Sequence, residues 1–488
     1  MATKTKPVKV LYVTTEAAPF AATGNMGEVC GALPLALNNT KKADARVIMP
    51  LYDDVAFNYK HKMTFVCNIT VTLSWRNQYC GLFEMDHEGV KFYFVDNEYY
   101  FKRPKLYGYY DDAERFAFFC KAVLELLPHM DFKPDILNSN DHLTALVPVY
   151  YSLEYRDRPG YGGIKNVFTI HDINYQGVYP SVIAGDVFGI SEENLNVVEF
   201  NGNINLVKGA IVTCDKITTM SPQYAKEIRL PEFSGGLDGL LIEHRAKAYG
   251  ILNGIDVEKF DPKTSPSLFK NYDADSLEFK KKNKVELQRM LSLPEDPDVP
   301  LVCMIGRMVA YKGYDLLRKS INKVSPEGNI LDTNIQLIVM GQGDADIEGY
   351  FAHVQKMYDR RVRALITYNT DLMIKVLAAA DICIMPSRTE PCGLTQMYAC
   401  RFGTVPIVRA TGGLLDSIKD CEKTPNGNGF MFEEYDSDVM DKTITRAVSL
   451  FYYHKDEWRE IQKRGMACDF SWGRAAERHV ELYKSLIA

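Results

Sequence analysis

Four groups of residues in this chain have the types and spacing to do chemistry. Glu390 follows the apolar run Ile382–Met385 and precedes Pro391, so a carboxylate stands where a strand feeds a helix predicted over residues 391–402. Such a junction is the ligand edge of an open α/β sheet. Thr411-Gly412-Gly413 follows a second apolar strand, residues 405–408, and opens another helix, where bare glycine backbone suits an anion. Arg307 and Lys312 share the loop after the strand Leu301–Ile305; they either neutralise a ligand's charge or stand solvated at a helix start. His171 begins a polar loop after the strand at 166–170. A carboxylate, an anion cradle and a cationic pair fit a nucleotide diphosphate, whose departing charge must be met by a metal or by cations and helix ends. Asp-x-Asp, a common metal signature, occurs at Asp273–Asp275 and Asp344–Asp346, but acidic loops produce it by chance. No metal and no cofactor are expected.

These residues need a parallel α/β scaffold. Residues 8–14 read as a central strand, apolar on both faces, followed by the loop 22–28, a helix at 29–37 and a strand at 44–49, which makes a βαβ opening. Short alternating strands over 63–95 form a β-rich insertion, and a helix follows at 112–127. Further strands at 134–137, 166–170 and 216–220 each run into a polar loop or helix start: 138–141, 171–174 and Ser221-Pro222. Asn253-Gly254 is a turn, and the Lys-, Asp- and Pro-rich stretch 260–300 reads as a join. The same logic restarts at Leu301 and runs to Gly413, and a helical tail closes the chain. The expected architecture is two doubly wound α/β domains facing a central cleft. Residues 1–258 form the first, 259–298 a linker, 299–465 the second, and 466–488 a C-terminal helical tail.

Composition narrows the function. A chain of 488 residues exceeds one ordinary core, and 46% hydrophobic with 25% charged residues is ordinary globular usage. A formal charge of −6 argues against nonspecific nucleic-acid binding. The N-terminal residues carry no secretory h-region, and no apolar run reaches membrane-spanning length. The eleven cysteines are scattered, without a CxxC pair, which points to buried thiols in the cytoplasm.

The chain resembles the glycogen/starch synthases. That family carries P-S-R-x-E-P-C-G-L, Y-G-T-x-P-x-V-R and T-G-G-L, which here are Pro386 to Leu394, Phe402 to Arg409 with Phe for Tyr, and Thr411 to Leu414. Its R-x-x-x-Q-K-G-x-D-L is Arg307 to Leu316 with Tyr311 for Gln, and its T-I-H-N-x-x-Y-Q-G matches the segment around His171. Similar text at Asn203–Gly209, Met220–Pro222 and Glu232–Leu241 carries the likeness from Val8 to Trp472. The resemblance implies a GT-B fold and a retaining glucosyltransferase moving glucose from ADP-glucose to the nonreducing-end 4-hydroxyl of an α-1,4-glucan. It implies that Arg307 and Lys312 meet the diphosphate, that Glu390 supports the oxocarbenium-like glucosyl group and that His171 lies against the glucose. It further assigns Thr23, Gly24, Glu28, Asp141, Asn253, Cys392, Gly393, Leu394, Thr411, Gly412 and Gly413 to the donor.

Two stretches depart from the family. The loop K-T-G-G-L-[GA]-D-V reads Ala22-Thr-Gly-Asn-Met-Gly-Glu-Val29, so the donor-contacting Lys is Ala22 and the Asp is Glu28. The histidines and tryptophan that flank the aspartate of H-x-H-D-W-H are absent around Asp141. Two alternatives follow: another donor such as UDP-glucose, or an idle glucan-binding relative. Tyr99, Tyr100, Tyr107 and Tyr109 are candidates for exposed stacking on glucan, or plain surface of a β-rich region. The expected partners are a nucleotide-glucose and an α-1,4-glucan, with neither nucleic acid nor membrane.

Overall fold

The computed structural model describes residues 6–323 and 329–488. The chain forms two compact units: one of residues 254–471, the other of the residues before Gly254 together with Trp472–Ala488.

The first unit is built on a nine-stranded sheet. Its order is Ala248–Gly250, Lys216–Thr219, Lys165–Ile170, Ile136–Asn140, Val8–Val13, Ala43–Pro50, Val90–Asp96, Arg76–His87, Thr64–Leu73. The first seven are parallel and the last two antiparallel, so the β-rich insertion extends the sheet rather than standing apart. Val10, Leu11 and Val13 are fully buried, as a strand covered on both faces requires. After Val8–Val13 the chain builds outward to Ala43–Pro50, then returns to Ile136–Asn140 on the opposite side. This reversal is the topological switch point, where an open α/β sheet leaves a crevice at its strand ends. The loops carrying Glu16, Thr23 and Asp141 leave from it.

The second unit repeats the plan with six parallel strands: Val362–Leu365, Gln336–Met340, Leu301–Ile305, Ile382–Met385, Val405–Arg409, Phe430–Phe432. Its order reverses between Leu301–Ile305 and Ile382–Met385. The loops that follow those two strands carry Arg307, Lys312 and Glu390.

Several expectations are corrected. Pro391 does not open a helix: Gly393 has φ 70 and the helix runs Thr395–Arg401, because the Gln396 side chain donates to the Cys392 and Gly393 carbonyls and holds 391–394 as a loop. Asn138 and Asn140 are buried strand residues in Ile136–Asn140: the Asn138 amide donates to the Tyr483 hydroxyl and the Asn140 amide to the Val13 carbonyl on the neighbouring strand. Tyr100 is fully buried, and Tyr107 donates to Glu16; of the four tyrosines proposed for an exposed platform only Tyr99, 66% exposed, stands well out.

The stretch 259–298 packs within the second unit. Tyr272 donates to the Phe402 carbonyl at 2.7 Å, and buried Lys280 reaches the carbonyls of Leu377, Ala378 and Phe402, each at 3.0 Å, and Thr404 Oγ1 at 2.8 Å. Burial pulls the Lys280 amine down to about 7. The tail splits. The helix Lys455–Met466 belongs to the second unit, whereas Trp472–Ile487 returns to the first, where the Tyr483 hydroxyl meets Tyr12 at 2.6 Å and Asn138 at 2.8 Å.

Replacing Lys280 by Met would take the ammonium from all four oxygens, leaving the three carbonyls only Tyr272 or Thr404 as donors and Thr404 Oγ1 without one. Lys280→Met is expected to lower the unfolding free energy by about 2–4 kcal/mol, read by urea denaturation of the full chain.

Candidate active site

In the second unit the site is organised by one ion pair whose carboxylate is buried. Glu390 is 2% exposed and its carboxylate faces the Lys312 ammonium, with Nζ 2.7 Å from Oε1 and 2.6 Å from Oε2. Ser387 Oγ donates to Oε2 at 3.0 Å. A carboxylate removed from water needs such partners, and losing one leaves an uncompensated charge. Backbone geometry delivers Lys312. Gly313 has φ 91, and a Cβ there would stand 2.4 Å from the Pro386 carbonyl oxygen, so only glycine lets the loop after Leu301–Ile305 lie against the loop after Ile382–Met385. The Arg388 amide seals that contact by donating to the Tyr311 carbonyl at 2.8 Å. Lys312 Nζ lies 5.6 Å from the centre of the Tyr311 ring.

The glycine turn is tied to the same loop. The Gly413 amide donates to the Glu390 carbonyl at 3.0 Å, and the Leu414 and Leu415 amides both turn back to the Thr411 carbonyl. A Cβ on Gly413 would meet the Cys392 carbonyl oxygen at 2.0 Å. The turn Thr411-Gly412-Gly413 therefore holds the Glu390 loop, and three amides of the supposed anion cradle are already engaged. Arg307 differs from Lys312: it is exposed, and among the described residues its guanidinium has no ion-pair partner.

The first unit assembles a site of opposite character around His171, which is 7% exposed. Asn140 spends its amide nitrogen on the Val13 and Asn138 carbonyls, so its oxygen faces His171 Nε2 at 3.0 Å and must accept from it. The ring then carries its proton on Nε2 and presents Nδ1 as an acceptor, buried and without a partner. Burial pulls the imidazole down to about 3, which keeps it neutral. Asp141 Oδ1 accepts the His171 amide at 2.7 Å. Asp141 itself has φ 57 and ψ −179, a backbone region that side chains rarely adopt. Burial pushes its carboxyl up to about 8, with Asp172 and Glu16 adding to the rise and the His171 and Asp172 amides opposing it.

Sequence reasoning missed the residue that fixes the N-terminal loop. Glu16 is 3% exposed; its Oε1 accepts from Thr23 Oγ1 at 2.8 Å and from the Tyr107 hydroxyl at 2.7 Å, and its Oε2 from the Thr23 amide. A charged residue just beyond a central strand was the available signal. Gly24 is the N-cap of the helix Asn25–Asn39, while Ala22 and Glu28 are exposed. Asn253, 4% exposed at the end of the unit, places Nδ2 3.2 Å from Met220 Sδ. A cavity of about 450 Å³ is lined by His142, Tyr175, Gln176 and Val178 among others, most of them on the stretch that follows His171 in sequence. Among the described residues no group of three His, Cys, Asp or Glu is placed to hold a metal, and no helix is long and apolar enough to cross a membrane.

Two Rossmann-like units with their polar side chains at the switch points define a glycosyltransferase of the GT-B class. The catalytic domain of starch synthase IV from Arabidopsis thaliana, solved with ADP and acarbose, superposes with a TM-score of 0.88 at 32% identity, covering 99% of each chain. Sucrose-phosphate synthase from Thermosynechococcus elongatus shares the fold alone, with a TM-score of 0.61 and 16% identity over 98% of this chain and 99% of that one. Residues 9–243 match the starch synthase catalytic domain, and 289–461 the glycosyl transferases group 1. The glycogen synthase of Geobacillus thermodenitrificans is 43% identical, and that of Desulforamulus reducens 41%, each over 98% of this chain and 98–99% of the relative. The chain belongs to the glycogen/starch synthase family.

Between about pH 4 and 8 the folded chain keeps a proton on Asp141 that the unfolded chain releases, so raising the pH across this window destabilises the fold. Asp141→Asn removes the titrating group. Its stability relative to the parent is expected to improve by at least about 1 kcal/mol from pH 5 to pH 8, measured by urea denaturation at each pH.

Proposed function

We propose that this glycosyltransferase elongates an α-1,4-glucan with glucose from ADP-glucose, with retention at C1, and that Glu390, Lys312, Arg307 and His171 act on the donor. The observation that carries the proposal is the Lys312–Glu390 pair: a part-exposed ammonium locked beside a nearly fully buried carboxylate at a switch point. Such a pair offers a cation to a departing diphosphate and an anion to the positive charge that develops on the sugar. Exposed Arg307 supplies the second positive charge on the same loop. Thr411 and Gly412 lie at the edge of this loop cluster and take the distal phosphate, while Cys392, Gly393 and Leu394 line the backbone beside Glu390.

In the reaction the C1–O bond to the diphosphate breaks, the acceptor's 4-hydroxyl oxygen bonds to C1, and its proton passes to the leaving phosphate. His171 accepts a hydrogen bond from a glucose hydroxyl at Nδ1, which suits a neutral ring held by Asn140. Asp141 and Asn253 belong to the sugar side; Thr23, Gly24 and Glu28 belong to the loop nearest the donor. Ala22 leaves that loop without an ammonium, so donor affinity falls relative to a relative with lysine there. The ADP reported for the Arabidopsis enzyme supports the choice of nucleotide. The cytoplasm is the compartment that suits eleven cysteines held in no disulfide.

The test is glucosyl transfer to glycogen, with ADP-glucose and UDP-glucose compared. ADP-glucose is expected to give the higher kcat/KM. Glu390→Ala should lower kcat by about 10³-fold or more, and Ala22→Lys should lower the donor KM by about tenfold. Preference for UDP-glucose would overturn the donor, and full activity of Glu390→Ala would overturn the site. Glycogen binding without any transfer would favour a binding protein.

A further inference from the structure

Trp75 stands at the tip of the hairpin formed by Thr64–Leu73 and Arg76–His87 and is 71% exposed. An indole left in water forgoes the stabilisation that its burial would bring. This one is also immobilised. Nε1 donates to Asp186 Oδ1 at 2.5 Å, and the Arg76 guanidinium lies over the ring, 4.3 Å from its centre. Arg76 is itself tied to Glu114 at 3.0 Å and to Asp186 at 3.2 Å. Ser74, with φ 56, turns the hairpin against Gly189, where an added Cβ would meet the Ser74 amide at 3.3 Å. One face of the ring is therefore covered by Arg76, the remainder is open, and the half-exposed Asp186 carboxylate borders it.

A flat apolar ring bordered by acceptor oxygens matches a pyranose, whose C–H face stacks while its hydroxyls donate. The ring's exposed neighbours on the two strands, Thr72 and Asn77, are polar and bonded to each other at 2.7 Å, so polar groups flank the indole along the hairpin as a sugar's hydroxyls require. The platform and the His171 site belong to the same unit. Asp186 lies on the helix Ala184–Phe188, which follows the strand Val178–Pro180, and exposed Val178 lines the cavity shared by His142 and Tyr175.

We infer that the Trp75 platform is an α-glucan subsite that holds an acceptor chain away from its reacting end. The inference rests on the glucan-acceptor reading above. A second contact on one chain raises the effective concentration of its ends without touching the chemistry, so only acceptors long enough to reach both places gain from it.

The test compares Trp75→Ala and Trp75→Phe with the parent full-length chain. KM is measured for glycogen and for maltotriose at saturating ADP-glucose, alongside retardation in native gels containing glycogen and no donor. Trp75→Ala is expected to raise the glycogen KM about tenfold, to leave kcat and the maltotriose KM within about twofold, and to lose most of the gel retardation. Trp75→Phe should retain much of each. Unchanged retardation and glycogen KM in Trp75→Ala would overturn the inference, as would an equal rise in KM for both acceptors. If the parent chain elongates neither acceptor, the proposed function fails, and retardation alone decides the platform: lost in Trp75→Ala it stands, unchanged it falls.

Discussion

A carboxylate taken out of water has to be met by a positive charge or by donors, and Glu390 is met by both. The rest of the second unit's site follows from that demand. Lys312 reaches Glu390 because Gly313 lets its loop lie against Pro386, and the Glu390 loop keeps its path because the Gly413 amide and the Gln396 side chain hold its carbonyls. Glycines that look made for a ligand are thus used first to bring backbones together. Glu16 in the first unit meets the same demand without a cation, through two hydroxyls and a backbone amide.

The two units divide the electrostatics. Formal charge concentrates at the switch point of the second, where Arg307, Lys312 and Glu390 gather on two neighbouring loops. Around His171 in the first, burial works against charge, leaving the imidazole neutral and holding a proton on Asp141. A polar chain beneath it, Thr218 to Thr169 to Asn138 to Tyr483, is made of neutral groups, each satisfied by the next at 2.8 Å. A cluster of formal charges suits phosphate chemistry, and a neutral imidazole suits hydroxyl recognition.

Much of this was legible in the sequence because parallel strands buried on both faces write themselves as apolar runs. Leu301–Ile305 and Ile382–Met385 are such runs, and the positions of Arg307 and Glu390 after them follow directly. What could not be read depends on side chains meeting across the fold. Asn138 and Asn140 look like loop residues because their partners, Tyr483 and His171, lie far away in sequence. Pro391 is a fair helix opener, but the local signal loses to Gln396, whose amide is worth more holding two carbonyls than the first turn is. Lys280 belongs to a stretch whose composition says solvent, and four oxygens contributed from 377–404 say otherwise. Glu16 stands just beyond a central strand, but the hydroxyls that hold it come from Thr23 and Tyr107, and their meeting is not written locally.

The return of the helix Trp472–Ile487 to the first unit has a consequence for biosynthesis. Tyr12 is translated before residues 254–471, and its hydroxyl partner, Tyr483, after them. The ribosome therefore delivers all of 254–471 before it releases the piece that completes the unit preceding it. The usual order, in which the N-terminal domain folds first, cannot run to completion here. The second unit, continuous in sequence, is free to finish while the first still waits for its closing helix.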